Sequence, residues 1–225
     1  MHPTLIACSH GTSSPDGQAA IAALVSAVAA RRPDLDVRAA FVDVQEPSIG
    51  PVLEDLEGVP TRVVPLLLSA GYHVYVDLSE AVSARPAATL AGALGPDPRL
   101  AQLLADRLDA AGLRDDDTVI LAAAGSSDAR AVDDCRDLAE ALGQLIGRPS
   151  PAAYLSAAEP RLDAAVSRAR ATGGRVVVAT YLLAPGFFAD LAARCGADVV
   201  TPPLLLPTQP PPEALVDLVL DRYAG

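Results

Sequence analysis

Residues 4–14 read TLIACSHGTSS, and residues 118–127 read TVILAAAGSS. Both are aliphatic runs that stop at a glycine followed by small hydroxyl residues. An unbroken apolar run bounded by turn residues fits a strand buried on both faces, as in a parallel sheet. In the first stretch a helix follows, with Ser14 placed to cap it and Pro15 at its first position. Ile21, Leu24, Val25 and Val28 then recur at helical spacing, and Pro33 ends the run. After the second stretch, a helix over residues 133–147 is predicted, with Val132, Cys135, Leu138, Leu142 and Leu145 on one face. The strand–loop–helix unit is therefore written twice.

The repetition extends outward from these stretches. RAAFVDVQEP (38–47) is matched by PAAYLSAAEP (151–160), and RVVPLLLSAGYH (62–73) by RVVVATYLLAPGFF (175–188). Gly11 and Gly125 lie 114 positions apart, Glu46 and Glu159 113, Pro47 and Pro160 113, and Gly71 and Gly186 115. Residues 36–43, 61–68 and 88–94 read as further strands of the first copy. Its helices are predicted to open at Pro47, with Ile49, Val52, Leu53 and Leu56 inward, and to run over residues 76–83 and 98–108. In the second copy, residues 197–205 take the place of the fourth strand and residues 211–223 hold the last helix. The expected fold is α/β: two similar lobes, 1–113 and 114–225, arising from an internal duplication. Each is a parallel sheet with helices on both faces. Ligands of such sheets bind beyond the carboxyl ends of the strands, so a cleft between the two lobes is expected.

Composition narrows the function. The chain has 225 residues, is 51% hydrophobic and only 4% aromatic, which suits helices packed on aliphatic strands. A net charge of −11 argues against a nucleic-acid surface, which needs cations to neutralise phosphates. Every basic residue is arginine, so a lysine Schiff base and a P-loop lysine are excluded. Arginine is also the side chain that grips carboxylates through two parallel bonds. Cys8, Cys135 and Cys195 are widely spaced and form no C-x-x-C pair, so reduced thiols are expected. With no secretory signal and no apolar run of membrane length, the expected setting is the cytoplasm, with no membrane partner. The oligomeric state is left open, a monomer included.

The two copies differ where chemistry would sit. His10 ends the first motif, and Ala124 stands in its place in the second copy. Gly71-Tyr72-His73 answers to Gly186-Phe187-Phe188, while both copies keep a glutamate before proline. His10, Glu46 and His73 all fall at or just after the ends of predicted parallel strands, on one rim. Two imidazoles and a carboxylate suit a divalent first-row metal such as Fe, Co, Ni or Zn. The same trio serves equally for general acid–base work. His2, the third histidine, lies at the N-terminus.

In LIACSHGT (5–12), FVDVQEPSI (41–49) and VVPLLLSAGYHVYVDL (63–78) the chain resembles the class II tetrapyrrole chelatases, the sirohydrochlorin chelatases and cobaltochelatases. The resemblance covers nearly the whole chain, including the two-lobed form in which one lobe carries the histidines. One departure is the apolar surround of His73, where Tyr72, Val74 and Tyr75 stand. The resemblance implies insertion of Fe²⁺, Co²⁺ or Ni²⁺ into sirohydrochlorin or a related tetrapyrrole, on the way to siroheme or cobalamin. It implies His10 and His73 as ligands to the metal in transit, and Glu46 as a further ligand or a proton acceptor. The divalent metal is then a substrate, and no organic cofactor is expected. Backbone N–H groups at Gly11, Thr12, Ser13 and Ser126 are candidates to hold carboxylates of the ring. Gly71 belongs to the third motif, and Phe188 is expected to form an apolar wall against the ring. The alternatives are a non-catalytic metal or tetrapyrrole carrier of the same fold, and a histidine phosphatase. The latter is disfavoured because Ser9 stands where such enzymes have arginine.

Overall fold

The computed structural model describes residues 2–69 and 72–225, and for residues 72–75 the backbone only. Four strands, β1 (Thr4–Ser9), β2 (Val37–Phe41), β3 (Thr61–Pro65) and β4 (Ala88–Leu90), alternate with α1 (Pro15–Arg31), α2 (Ile49–Asp55) and α3 (Tyr72–Ser83). After α4 (Pro98–Ala110) the pattern repeats. The strands are β5 (Thr118–Ala123), β6 (Ala152–Tyr154), β7 (Val176–Tyr181) and β8 (Val199–Val200). The helices are α5 (Ala129–Leu145), α6 (Leu162–Ala171), α7 (Phe187–Ala193) and α8 (Glu213–Ala224). Two separate sheets form, ordered β2-β1-β3-β4 and β6-β5-β7-β8, with every pairing parallel.

The central strands β1 and β5 are buried almost throughout, as their apolar runs require. In the first sheet β2 lies to one side of β1, and β3 and β4 to the other. Right-handed crossovers then place α1 on one face and α2 and α3 on the opposite one. Packing agrees: Ile6 and Cys8 of β1 join Ile49, Val52 and Leu53 of α2 and Leu78 and Val82 of α3 in one core. The second sheet repeats this, with Ile120 and Ala122 of β5 packed against Leu162 and Val166 of α6 and Ala192 of α7.

Helix starts follow from their caps. The Ser14 hydroxyl accepts the Gly17 N–H at 3.3 Å, with Pro15 opening α1. Asp128 accepts the Arg130 N–H at 2.9 Å, so α5 begins at Ala129, four residues before the predicted start. Leu145, the last residue of α5, is 51% exposed and does not share the buried face expected of it. α3 begins at Tyr72 rather than Val76, which brings His73 into its first turn. The predicted strand 88–94 is regular only to Leu90.

Register corrects one detail of the repeat. Thr4 pairs with Thr61 and Thr118 with Val176, so Thr61 answers to Val176 and Gly71 to Gly186. The likeness of Arg62 to Arg175 is out of register by two residues.

The chain forms two compact units, residues 1–94 with 205–225, and Gly95–Leu204. These divide the chain differently from the repeat boundary at 113/114. The reason lies in two helices. α4 follows the first copy but packs on α5 and β7, burying Leu100, Ala101, Leu104 and Leu108. α8 follows the second copy but packs on α1 and β3, burying Leu215, Val216, Leu218 and Val219. Corresponding arginines fasten them: Arg222 donates to the carbonyls of Ala93 and Leu94 at 2.8 and 3.0 Å, and Arg107 to that of Leu204 at 3.2 Å. Among the described residues no helix is long and apolar enough to cross a membrane.

Candidate functional site

His10 is the first residue beyond β1, and its side chain is exposed. β1 lies between β2 and β3, so the segment after β1 starts about 5 Å from each of the other two, which start about 10 Å apart. The loop after β2 carries Glu46, and α3, two residues into which His73 stands, follows β3. Strand order reverses between β1 and β3, the position where open parallel sheets bind ligands. Gly71 and the side chain of His73 lie outside the described residues. Among those described, no three metal-donor side chains gather in one place.

Hydrogen bonds stitch the His10 and Glu46 segments together. The Val42 and Asp43 N–H groups donate to the carbonyls of Ser9 and His10 at 3.0 and 2.9 Å. The Thr12 N–H donates to Oε1 of Gln45 at 2.9 Å. So close is the crossing that a Cβ on Gly11 would stand 2.0 Å from the Asp43 carbonyl oxygen, and its φ of +95° is one that glycine alone adopts freely. The second copy is built the same way. Leu155 and Ser156 donate to Ala123 and Ala124 at 3.0 and 2.8 Å. A Cβ on Gly125, at φ +92°, would meet the Ser156 carbonyl at 1.9 Å.

The glutamates are also alike. Oε2 of Glu46 accepts the Ser48 N–H at 2.8 Å, and Oε2 of Glu159 accepts the Arg161 N–H at 2.9 Å. Each thus shapes the turn into the following helix, in one copy beside a histidine and in the other without one. That shared bond is sufficient reason for a Glu-Pro in both copies. Glu46 remains exposed, with its second oxygen facing no partner among the described residues.

Cys8, two residues from His10, is buried in the core, and burial pushes its thiol up to about 12. The Cys8 side chain is committed to the core, whereas His10 is exposed.

The loop donors are partly spent. The Thr12 N–H serves Gln45, and the Ser14 N–H donates to the Thr12 hydroxyl at 3.1 Å. The Asp128 N–H donates to the hydroxyl of Ser126 at 3.1 Å. Ser13 is exposed. In the first turn of α7, Phe188 is half-buried and packs against the core of its own unit. Phe187 is the aromatic turned to solvent, 69% exposed, with its ring set at 66° to that of Phe188 and 5.5 Å from it. Phe187 answers to Tyr72 in the sequence comparison of the copies; Arg161, where the first copy has Ser48, is not named there, although it lies two residues from Glu159.

A family model described as CbiX matches residues 4–111 and 118–191. The chain belongs to the CbiX family. Among curated relatives, a sirohydrochlorin cobaltochelatase of Methanosarcina barkeri is 28% identical over 82 residues, which are 35% of this chain and 63% of that protein. One of Methanococcoides burtonii is 26% identical over 85 residues, 36% of this chain and 65% of that protein. The matches thus span under two thirds of these relatives' own length. In three dimensions the chain is similar to SirB from Bacillus subtilis, solved with Fe³⁺, at TM-score 0.79 and 20% identity, covering 100% of this chain and 95% of that one. The structure of CbiX described as the terminal enzyme of siroheme biosynthesis in denitrifying bacteria aligns at TM-score 0.67 and 18% identity, covering 97% and 98%. At these identities the likeness establishes a shared two-lobed α/β chelatase fold.

Proposed function

We propose that this CbiX-family chain is a chelatase that inserts a divalent metal ion, Fe²⁺, Co²⁺ or Ni²⁺, into sirohydrochlorin or a closely related tetrapyrrole in the cytoplasm. The observation that carries the reading is an exposed histidine at the carboxyl end of the central strand of one sheet, in a chain matched to the family along both copies. The reaction exchanges two pyrrole N–H protons for one M²⁺ and changes no oxidation state. His10 and His73 hold the metal loosely through neutral imidazole nitrogens, with coordination positions left open for the ring. Deprotonation must accompany transfer, and Glu46 is the carboxylate on this rim suited to accept a proton. Second-copy positions Ala124 and Phe188 have no metal-binding group, so the metal is handled by the first copy alone.

The test is direct. The protein is mixed with sirohydrochlorin and, separately, Fe²⁺, Co²⁺, Ni²⁺ and Zn²⁺, and the Soret band is followed. Metallation well above the uncatalysed rate is the expected result. Stoichiometric binding of ring or metal without turnover would instead make the protein a carrier.

A further inference from the structure

Two glutamines grip the peptide that follows His10 and Gly11. Thr12 gives its N–H to Oε1 of Gln45 at 2.9 Å, and its carbonyl accepts from Nε2 of Gln18 at 2.8 Å. One amide comes from the loop after β2, the other from α1. We infer that Gln45, assisted by Gln18, is a positioning residue for metal binding: the pair fixes the loop that carries His10, so that its imidazole is in place before a metal ion arrives. The inference rests on the reading of His10 as a metal ligand.

The two copies differ at this clamp although their backbones agree. Val44 is left-handed at φ +64°, and the Gln45 N–H donates back to the Asp43 carbonyl at 2.7 Å. The second copy makes the same turn, with Ala157 at φ +53° and the Ala158 N–H donating to the Ser156 carbonyl at 2.6 Å. The copies also share a hydroxyl bond inside the loop, from the Ser14 N–H to Thr12 Oγ1 and from the Asp128 N–H to Ser126 Oγ. What the second copy lacks is the pair of amides: Ala158 stands where Gln45 does, and Val132 where Gln18 does. Folding this loop therefore does not require them. The copy that has them is the copy with a histidine.

His10 is exposed, so core packing does not restrain it. The strand ladder fixes the chain up to Ser9, and the Thr12 peptide is the anchor beyond the crossing at Gly11. With both flanks held, the imidazole has less freedom to lose when it takes up a metal ion. Apparent affinity scales with the fraction of molecules in the competent arrangement, so releasing one anchor weakens binding without touching a ligand atom. Gln45 also ties this loop to the one that carries Glu46, its neighbour in the chain, so metal donor and proton acceptor keep a fixed relation.

The experiment titrates the full chain with Co²⁺ alone and follows the visible absorption of the bound ion, beside thermal unfolding. Gln45→Met keeps the length of the side chain but not its amide, and should raise the Kd for Co²⁺ about tenfold, with the unfolding temperature close to that of the parent. Gln45→Glu retains an oxygen for the Thr12 N–H and should bind Co²⁺ at least as well as the parent. Gln18 is exposed on α1, so Gln18→Met tests the clamp even if Gln45→Met disturbs the loop; it should weaken binding in the same direction by a smaller factor. Ala158→Gln should leave the Kd unchanged. A lowered unfolding temperature with an unchanged Kd in both methionine variants would make the glutamines structural and overturn the inference. So would a parent that binds no Co²⁺, or a shift of equal size in Ala158→Gln. Co²⁺ binding that weakens as expected in a protein that metallates no sirohydrochlorin would retain the clamp and overturn only the chelatase reading.

Discussion

Two rims, built on one backbone plan, carry different side chains. Both have a glycine crossed at about 2 Å from its would-be Cβ by a carbonyl of the second-strand loop, and both have a glutamate folded back on the next helix. What differs is His10 against Ala124, Ser48 against Arg161 and His73 against Phe188. The comparison separates two reasons for a residue to be where it is. A feature found in both copies is explained by folding, and a feature found in one invites a chemical explanation. Gly11 and Gly125 are of the first kind, His10 is of the second, and Glu46 stands on the line between them.

The sharpest break would come at His10. His10→Ala is expected to lower metal insertion by orders of magnitude while leaving the fold intact, because the side chain is exposed and the backbone bond to Asp43 does not involve it. Ala124→His should restore nothing to that variant, since Phe188 stands where a second imidazole would be needed. Initial rates of Co²⁺ insertion decide both, and a near-parental rate for His10→Ala would end the division of labour.

Glu46 and Glu159 make the next test. If Glu46 accepts a proton, Glu46→Gln should lower kcat about a hundredfold, whereas Glu159→Gln should leave it within a few-fold. Glutamine retains an oxygen for the Ser48 or Arg161 N–H, so both variants should unfold at nearly the parental temperature. Equal kinetic effects would assign both glutamates to the turn.

Folding is the converse case. Gly11→Ala and Gly125→Ala should each destabilise by about 2–3 kcal/mol in chemical unfolding, since each side chain needs a left-handed φ and space already filled by a carbonyl. Similar losses at the two sites would show that the shared backbone plan is energetic as well as geometric; a large loss at Gly11 alone would count against it.

The smallest expected difference concerns acid. The Asp198 carboxylate accepts the Val176 N–H and the Arg170 guanidinium, both at 2.8 Å, and the backbone bond above all holds its pKa below the usual carboxylate value. In the first copy the equivalent place is Ala88. A depressed folded-state pKa supplies stability above the unfolded value, about 4, and that stability is lost as pH falls through the folded value. Thermal unfolding from pH 7 to pH 3 should therefore fall slightly less for Asp198→Asn than for the parent; a steeper fall would reverse the assignment.

Much of this was legible beforehand because period and punctuation are local. The buried run ending at Ser9, the Ser14-Pro15 helix start and the Glu-Pro landmarks all lie within a few residues of what they determine. Register was less legible. Arg62 and Arg175 look alike, yet strand pairing aligns Thr61 with Val176, and only the ladder between strands reveals the two-residue shift. Nor did periodicity say which sheet a helix would cover. α4 and α8 have apolar faces suited to either unit, so their partners were invisible in one dimension. On the rim, the identity of Arg161 was plain, but its bond to the Leu155 carbonyl exists only in the folded chain.

The placing of α4 and α8 makes the repeat something other than a self-sufficient module. A chain ending near residue 113 would carry the helix that belongs on the second sheet and lack the one that covers the first, leaving the sites of Leu215, Leu218 and Val219 uncovered. At about 1.5–3 kcal/mol for each such side chain, the missing cover rivals the entire 5–15 kcal/mol by which a domain is usually stable. A half-length chain could complete itself only by borrowing a helix from a second half-length chain, so its folding would depend on dilution. Joining the copies through residues 113–117 replaces that dependence with a fixed effective concentration set by the tether. The covalent link therefore makes the integrity of both sheets independent of how much protein the cell contains.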